Sequence, residues 1–271
     1  MKKTLLAALF CLFALFATGC TEQTEIIAHR GASHLAPENT MASVMLGWQK
    51  GADVEIDVYL TKDNRIVVIH DKTTKRTGDK ELEVSKTTSH QLRTVDVGTF
   101  KSLKFAGERI PFLHEVIATI PPHRKLYIEI KCKQEILPHL EKVINASGKR
   151  SQVIIVTFDF ETIVAAKKQM PDISMYWLRG TKKDKETDEF IYHDIELVEK
   201  ARMHGLDGLN LHYGGVTPEL VDAAKAAGQK FYVWTIDEIN AAQRMRDLGV
   251  DGITTNRPGW MKEQLKTVSG D

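Results

Sequence analysis

Short apolar runs alternate with helix-length runs about eight times over, which predicts a closed (β/α)8 TIM barrel. Two further observations agree. About 245 residues remain after an N-terminal leader, a normal length for one such barrel and long for a single two-layer domain. No Gly-x-Gly-x-x-Gly follows the first apolar run, which argues against a dinucleotide-binding sheet.

The first strand is Ile26-Ile27-Ala28, and it ends in His29-Arg30-Gly31, where glycine frees the backbone to turn. Pro37-Glu38-Asn39-Thr40 opens a helix with Val44, Leu46 and Trp48 on its apolar face, and Gly51 closes it. The second strand is predicted over 54–60. The chain turns at Lys62-Asp63-Asn64 and returns over 65–69 to His70-Asp71. Residues 73–109 are polar and keep no sustained period, so they read as a small insertion after the second strand, not a separate domain. A helix then precedes Pro121-Pro122. From there the rhythm is plain, with strands at 125–130, 152–158, 173–178, 206–211, 230–236 and 252–255. Helices follow at 135–147, 161–169, 195–204, 218–227, 239–248 and 258–266.

Composition is that of an ordinary globular chain, 42% hydrophobic and 27% charged. A net charge of +1 gives no strong pull toward nucleic acid or an anionic membrane. The start of the chain is different. Lys2-Lys3, an apolar run over 5–16 and Ala17-Thr18-Gly19-Cys20 have the layout of an export signal ending in a bacterial lipobox. The apolar run is too short for a comfortable membrane span. The expected organisation is a lipoprotein signal peptide over 1–19, lipidation of Cys20, a tether over 20–25 and a barrel over 26–271. That describes an exported, membrane-anchored protein on the periplasmic or cell-surface side. An ordinary secreted protein with a nearby cut is the alternative. Cys11 leaves with the signal and Cys20 carries lipid, so Cys132 has no partner for an intrachain disulfide.

Within the second strand, Glu55 and Asp57 share one face while Val54, Ile56 and Val58 share the other. Adjacent carboxylates repel, and burying each unpaired costs several kcal/mol. A divalent cation removes the conflict, and oxygen ligands suit Mg or Ca. A solvated edge strand is the bland alternative. Glu129 and Lys131 are likewise two apart at the end of the third strand. His70 follows a buried run, and an imidazole with a pKa near ~6.5 reaches both protonation states at neutral pH. In a barrel, chemistry sits at the C-terminal ends of strands. His29, Arg30, Glu55, Asp57, His70, Glu129, Lys131 and Trp234 all fall there. Arg and Lys suit phosphate oxygens, and a cation with both would favour an anionic substrate. Two histidines allow one proton to be taken and one to be given. No serine nucleophile elbow is present.

At these residues the chain resembles the glycerophosphodiester phosphodiesterase family. The matching pieces are His29-Arg30-Gly31-Ala32, Pro37-Glu38-Asn39-Thr40, Glu55-x-Asp57 with Leu60-Thr61-Lys62-Asp63, His70-Asp71, Glu129-Ile130-Lys131, Trp234-Thr235 and Asp251-Gly252-Ile253. The resemblance implies a barrel that hydrolyses glycerophosphodiesters to an alcohol and glycerol 3-phosphate. It implies one divalent cation on Glu55, Asp57 and Glu129, with His29 and His70 as the acid/base pair. Arg30 and Lys131 would hold phosphate, Trp234 would line the substrate site, and Glu38 would contact the metal or partner Arg30. The insertion would cover the glycerol side of the pocket. Three positions depart from the family pattern: Thr157 where Ser is commoner, Asp237 where Asn is commoner and Asn256 where Asp is commoner. A phospholipase C-like or sphingomyelinase D-like enzyme on the same barrel is an alternative, as is a non-catalytic phosphodiester-binding lipoprotein. The released alcohol is open: choline, ethanolamine, inositol, glycerol or another.

Overall fold

The computed structural model describes residues 24–267. The signal peptide at 1–19 and the lipidation residue Cys20 lie outside the described residues. In chain order the elements begin with β1 (Glu25–Ala28), α1 (Met41–Gln49), β2 (Asp53–Leu60) and β3 (Ile66–Val68). They continue with α2 (Ser89–Leu92), α3 (Leu113–Ala118), β4 (Leu126–Ile130), α4 (Leu137–Ser147), β5 (Val153–Thr157) and α5 (Phe160–Gln169). The last are β6 (Ser174–Arg179), α6 (Glu196–Met203), β7 (Gly208–His212), α7 (Pro218–Ala226), β8 (Lys230–Trp234), α8 (Ile239–Asp247), β9 (Gly252–Thr255) and α9 (Pro258–Thr267).

Eight of the strands are parallel and follow one another around a ring that the β1–β2 pairing closes. The fold is therefore the expected (β/α)8 barrel. β3 lies outside the ring, antiparallel to β2, and carries the chain into the insertion. Glu25, assigned by sequence to the tether, is the first residue of β1.

Alternation along each strand sorts side chains to two cores. On β2, Val54, Ile56 and Val58 face outward into the apolar layer shared with the helices, and all three are fully buried. Inside the ring, Ile27, Tyr127, Ile154, Val156, Tyr176, Leu178 and Tyr232 pack together. Tyr127 and Tyr232 both donate their hydroxyls to Glu25, at 3.0 and 3.2 Å. This plug fills the barrel's lower half, so the inward residues above it open only toward the C-terminal end.

Local signals explain the element ends. Thr40 caps α1 by accepting from the Ser43 N–H, while Ser43 accepts from the Thr40 N–H. Gly51, at φ +66°, ends the helix in the left-handed region. The predicted helix at 135–147 begins instead with a 3-10 turn at Gln134–Ile136, and Pro138 sits in the first turn of α4. The insertion has its own small core of Val84, Leu92, Val95, Val97 and Ile110, which covers Val67 and Ile69 of the return strand. It is an appendage of the β2–β3 hairpin, as its irregular sequence indicates.

Candidate active site

Register brings the acids together. Asp57 on β2 is paired with Glu129 on β4, and Glu55 lies one inward position below Asp57. All three are buried, at 6, 1 and 8% exposure for Glu55, Asp57 and Glu129, which excludes a solvated acidic strand. One oxygen from each lies within 4.8 Å of the others. Glu55 Oε1 and Asp57 Oδ1 have no hydrogen-bond partner although both are buried. Ligands about 2.0–2.6 Å from one ion can be up to roughly twice that distance apart, so the trio fits a single Mg or Ca ion. Without such an ion, burial and then the neighbouring Asp57 push Glu55 well above the usual carboxylate range. The same two causes, in the same order, raise Glu129 to about 7.

Two cations bracket the acids. Lys131 Nζ lies 2.7 Å from Glu129 and 3.6 Å from Asp57. Burial opposes its charge, but Glu129 and Asp57 outweigh burial and raise its pKa. Arg30 Nε lies 3.2 Å from Asp57, and Arg30 Nη1 lies 2.9 Å from Glu38. The Arg30 N–H donates to Glu55 Oε2 at 2.8 Å. This requires a left-handed turn at Arg30-Gly31, with φ +55° and +76°. A Cβ on Gly31 would meet the Ser43 carbonyl oxygen at 2.6 Å, so β1 can pass this close to α1 only with glycine there.

The histidines sit on opposite sides. His29 Nδ1 is 2.8 Å from Asn256 Oδ1, whose Nδ2 donates to Asp237 at 2.6 Å. The amide oxygen can only accept, so Nδ1 carries the hydrogen and Nε2 keeps its lone pair. Burial, then Arg30, lower the His29 pKa to about 4, with Asp57 pulling the other way. His70 Nδ1 is 2.5 Å from Asp71, and Lys131 donates to His70 Nε2 at 3.2 Å. His29, Arg30, Glu55, His70, Glu129, Lys131 and Trp234 line one cavity of about 300 Å³. Asp57, one inward position nearer the mouth than Glu55, is buried and does not line it. Glu38 does not line the cavity. Both its oxygens are held by Arg30 and Arg76, so it is a partner of Arg30. A larger groove of about 660 Å³ lies outside the barrel beside α3 and α4, and no carboxylate lines it.

The model of the glycerophosphoryl diester phosphodiesterase family matches residues 29–260, a span that includes every one of these groups. The chain belongs to that family. A glycerophosphodiester phosphodiesterase of Caldanaerobacter subterraneus is 37% identical over 245 residues, covering 87% of this chain and 95% of the relative. One from Bacillus altitudinis is 30% identical, with 87% and 95% covered. A phosphodiesterase of Oleispira antarctica, solved in complex with the product sn-glycerol-3-phosphate, superposes with a TM-score of 0.74 at 28% identity, covering 90% of this chain and 97% of that one. A Silicibacter pomeroyi structure reaches a TM-score of 0.81 at 22% identity, with 92% and 95% covered, and shows the shared fold. The chain is thus a hydrolase of the glycerophosphoryl diester phosphodiesterase family.

Sequence reasoning left several groups of this phosphodiesterase without a role. Asn39 donates to Asp57 Oδ2 at 2.8 Å and accepts from the Asp57 N–H at 3.1 Å. Arg76, from the insertion, bonds Glu38 through two nitrogens and Asp71 through a third, at 2.7–2.8 Å. A polar chain of Arg30, Glu38, Arg76, Asp71 and His70 therefore runs along one rim of the phosphodiesterase site. Asn39 and Asp71 lie inside recognised motifs and could have been assigned. Arg76 sits in a lysine- and threonine-rich stretch that carries no local signal.

Proposed function

We propose that this chain hydrolyses glycerophosphodiesters to an alcohol and glycerol 3-phosphate, using one divalent cation, Mg or Ca, on Glu55, Asp57 and Glu129. The observation that carries this reading is the buried trio itself. Three converging carboxylates, two of them with an unpaired oxygen, beside Arg30 and Lys131 make a site for one hard cation and one phosphate. When bound, the cation would act as a Lewis acid on the phosphoryl oxygens. Arg30 and Lys131 give up part of their pairing with the acids and hold the same oxygens as negative charge grows on them. His29, kept neutral with Nε2 free, takes a proton from the attacking water as the new O–P bond forms. His70, its Nδ1 hydrogen held by Asp71, gives a proton from Nε2 to the leaving alkoxide as the old P–O bond breaks, once phosphate has drawn Lys131 away from that nitrogen. Each proton transfer is worth roughly 10²–10⁴-fold. Trp234 forms one wall, its indole donating to the Asn210 carbonyl at 3.1 Å.

The relatives' names and the Oleispira product complex support this substrate class. In the test, the purified domain with Mg or Ca releases glycerol 3-phosphate from a glycerophosphodiester, and a chelator stops the release. Turnover after thorough chelation would refute the role given to the acids. Release of a cyclic phosphate, seen by phosphorus NMR, would favour the phospholipase C-like alternative.

The leader supports export and anchoring through a lipidated Cys20, with the substrate met outside the cytoplasm. Radiolabelled palmitate should enter the full-length protein and not a Cys20→Ser variant; equal labelling of both would refute it.

A further inference from the structure

We infer that Asn210 forms a hydroxyl-binding subsite, so that the enzyme favours diesters whose substituent on that side bears a hydroxyl. This rests on the phosphodiesterase reading and specifies its substrate. The cavity has two unlike sides. Toward β1, β2 and β4 it is charged, with His29, Arg30, Glu55, Glu129 and Lys131. Strands β5 to β8 give it Val156, Leu178, Asn210 and Trp234, of which Asn210 alone offers an unspent polar side chain. The Trp234 indole N–H is already used on the Asn210 backbone carbonyl. Asn210 pairs in register with Leu178 and Tyr232, both inward residues, while its neighbours Leu209 and Leu211 face the outer core. Its side chain therefore points into the barrel.

Asn210 is 5% exposed and its amide oxygen has no hydrogen-bond partner. Placing an amide with an unpaired oxygen on an otherwise apolar wall is unfavourable unless a donor arrives to pair it. Packing alone does not call for it, since leucine has the same branched heavy-atom skeleton without the polar atoms. A phosphate held by Arg30 and Lys131 projects an ester substituent toward this wall. A hydroxyl can both donate to and accept from an amide.

The test compares wild type with Asn210→Leu, and with Asn210→Ala should the leucine variant not fold. Glycerophosphoglycerol carries hydroxyls on both sides of its phosphate, so either orientation presents one to Asn210. Ethyl p-nitrophenyl phosphate carries none, and is followed as substrate or as competitor. Loss of the amide should lower kcat/KM for glycerophosphoglycerol about tenfold or more. The constants for ethyl p-nitrophenyl phosphate should stay within about twofold, a selectivity that a general packing defect would not produce. Equal losses on both esters, or no loss on either, overturn the subsite. A folded, metal-supplied wild type that cleaves neither ester overturns the underlying phosphodiesterase reading instead.

Discussion

Asn39 and Asp57 hold each other by two reciprocal hydrogen bonds, side-chain amide to carboxylate at 2.8 Å and backbone N–H to side-chain carbonyl at 3.1 Å. Asp57 is the most deeply buried of the three acids, and this pairing fixes which of its oxygens remains for a ligand. The arrangement needs Asn39 at φ +57°, a conformation that asparagine tolerates better than most residues.

Asn39→Ala should therefore weaken metal binding by about 10–100-fold, the usual cost of removing an outer partner of a ligand. Stability without metal should fall by about 1–3 kcal/mol, because a buried oxygen and a buried N–H both lose their partner. Metal titration by calorimetry and chemical unfolding check the two numbers. Unchanged metal affinity would show that Asp57 is held in place by its strand alone.

Without metal, the acids should make the fold less stable as pH rises. Glu55 and Glu129 are both raised, Glu129 to about 7, so the folded state holds protons that the unfolded state has released above about 4.5. Their contribution is complete below the unfolded value and is lost as pH climbs through the folded one. His29 works in the opposite sense, since its lowered pKa of about 4 makes stability rise between about 4 and 6.5. Above pH 6.5 His29 is neutral in both states and only the carboxylates remain. The Tm of chelated protein should thus fall between pH 6.5 and 8, and Mg or Ca should raise it more at pH 8 than at 6.5. A flat profile, or a metal effect larger at the acidic end, would contradict the burial-driven shifts.

Arg76 joins the insertion to the site by two contacts with Glu38 and one with Asp71. With its side chain 46% exposed, its loss should cost less than about 1 kcal/mol of stability. The functional cost should be larger, since Glu38 orients Arg30 and Asp71 orients His70. Arg76→Ala should reduce kcat/KM about tenfold with Tm nearly unchanged, and Arg76→Lys should restore little, because a lysine cannot span three acceptors in one plane. A variant at wild-type rates would make the insertion a cover and nothing more.

The barrel was legible because the inward acids of β2 and β4 sit on strands whose outward residues are aliphatic, so that period-two alternation both names the strand and aims the carboxylate. Glu55 and Asp57 show this directly. Distances around the chain were not legible. Glu38 precedes α1 by three residues, a position that says nothing of Arg76, which lies in a different layer. Glu25, at the edge of the expected tether, shows the same thing: its carboxylate belongs to the tyrosines of β4 and β8, which are 102 and 207 residues away. Asn210 carried no signal either, because one asparagine in an apolar run reads as a strand irregularity until its neighbours across the barrel are known.

Two departures from the family pattern prove to be one. Asn256 stands where Asp is commoner and Asp237 where Asn is commoner, and the two side chains are bonded at 2.6 Å. The pair keeps a single negative charge but places it on the residue farther from His29. The amide of Asn256, not a carboxylate, meets His29 Nδ1, which is consistent with a His29 pKa of only about 4. Exchanging the two, as Asn256→Asp with Asp237→Asn, should bring the charge next to the ring and raise that pKa. A general base acts in its neutral form, so activity is lost as pH falls through its pKa. The acid limb of the kcat/KM profile should accordingly move to higher pH in the double variant, by about one unit or more. Asn256→Asp alone should behave differently, because two carboxylates would then face each other at hydrogen-bond distance. It should lose stability at pH 8 and regain much of it near pH 5, where the pair can share a proton. If the acid limb stays in place after the exchange, the ring that limits activity at low pH is not His29.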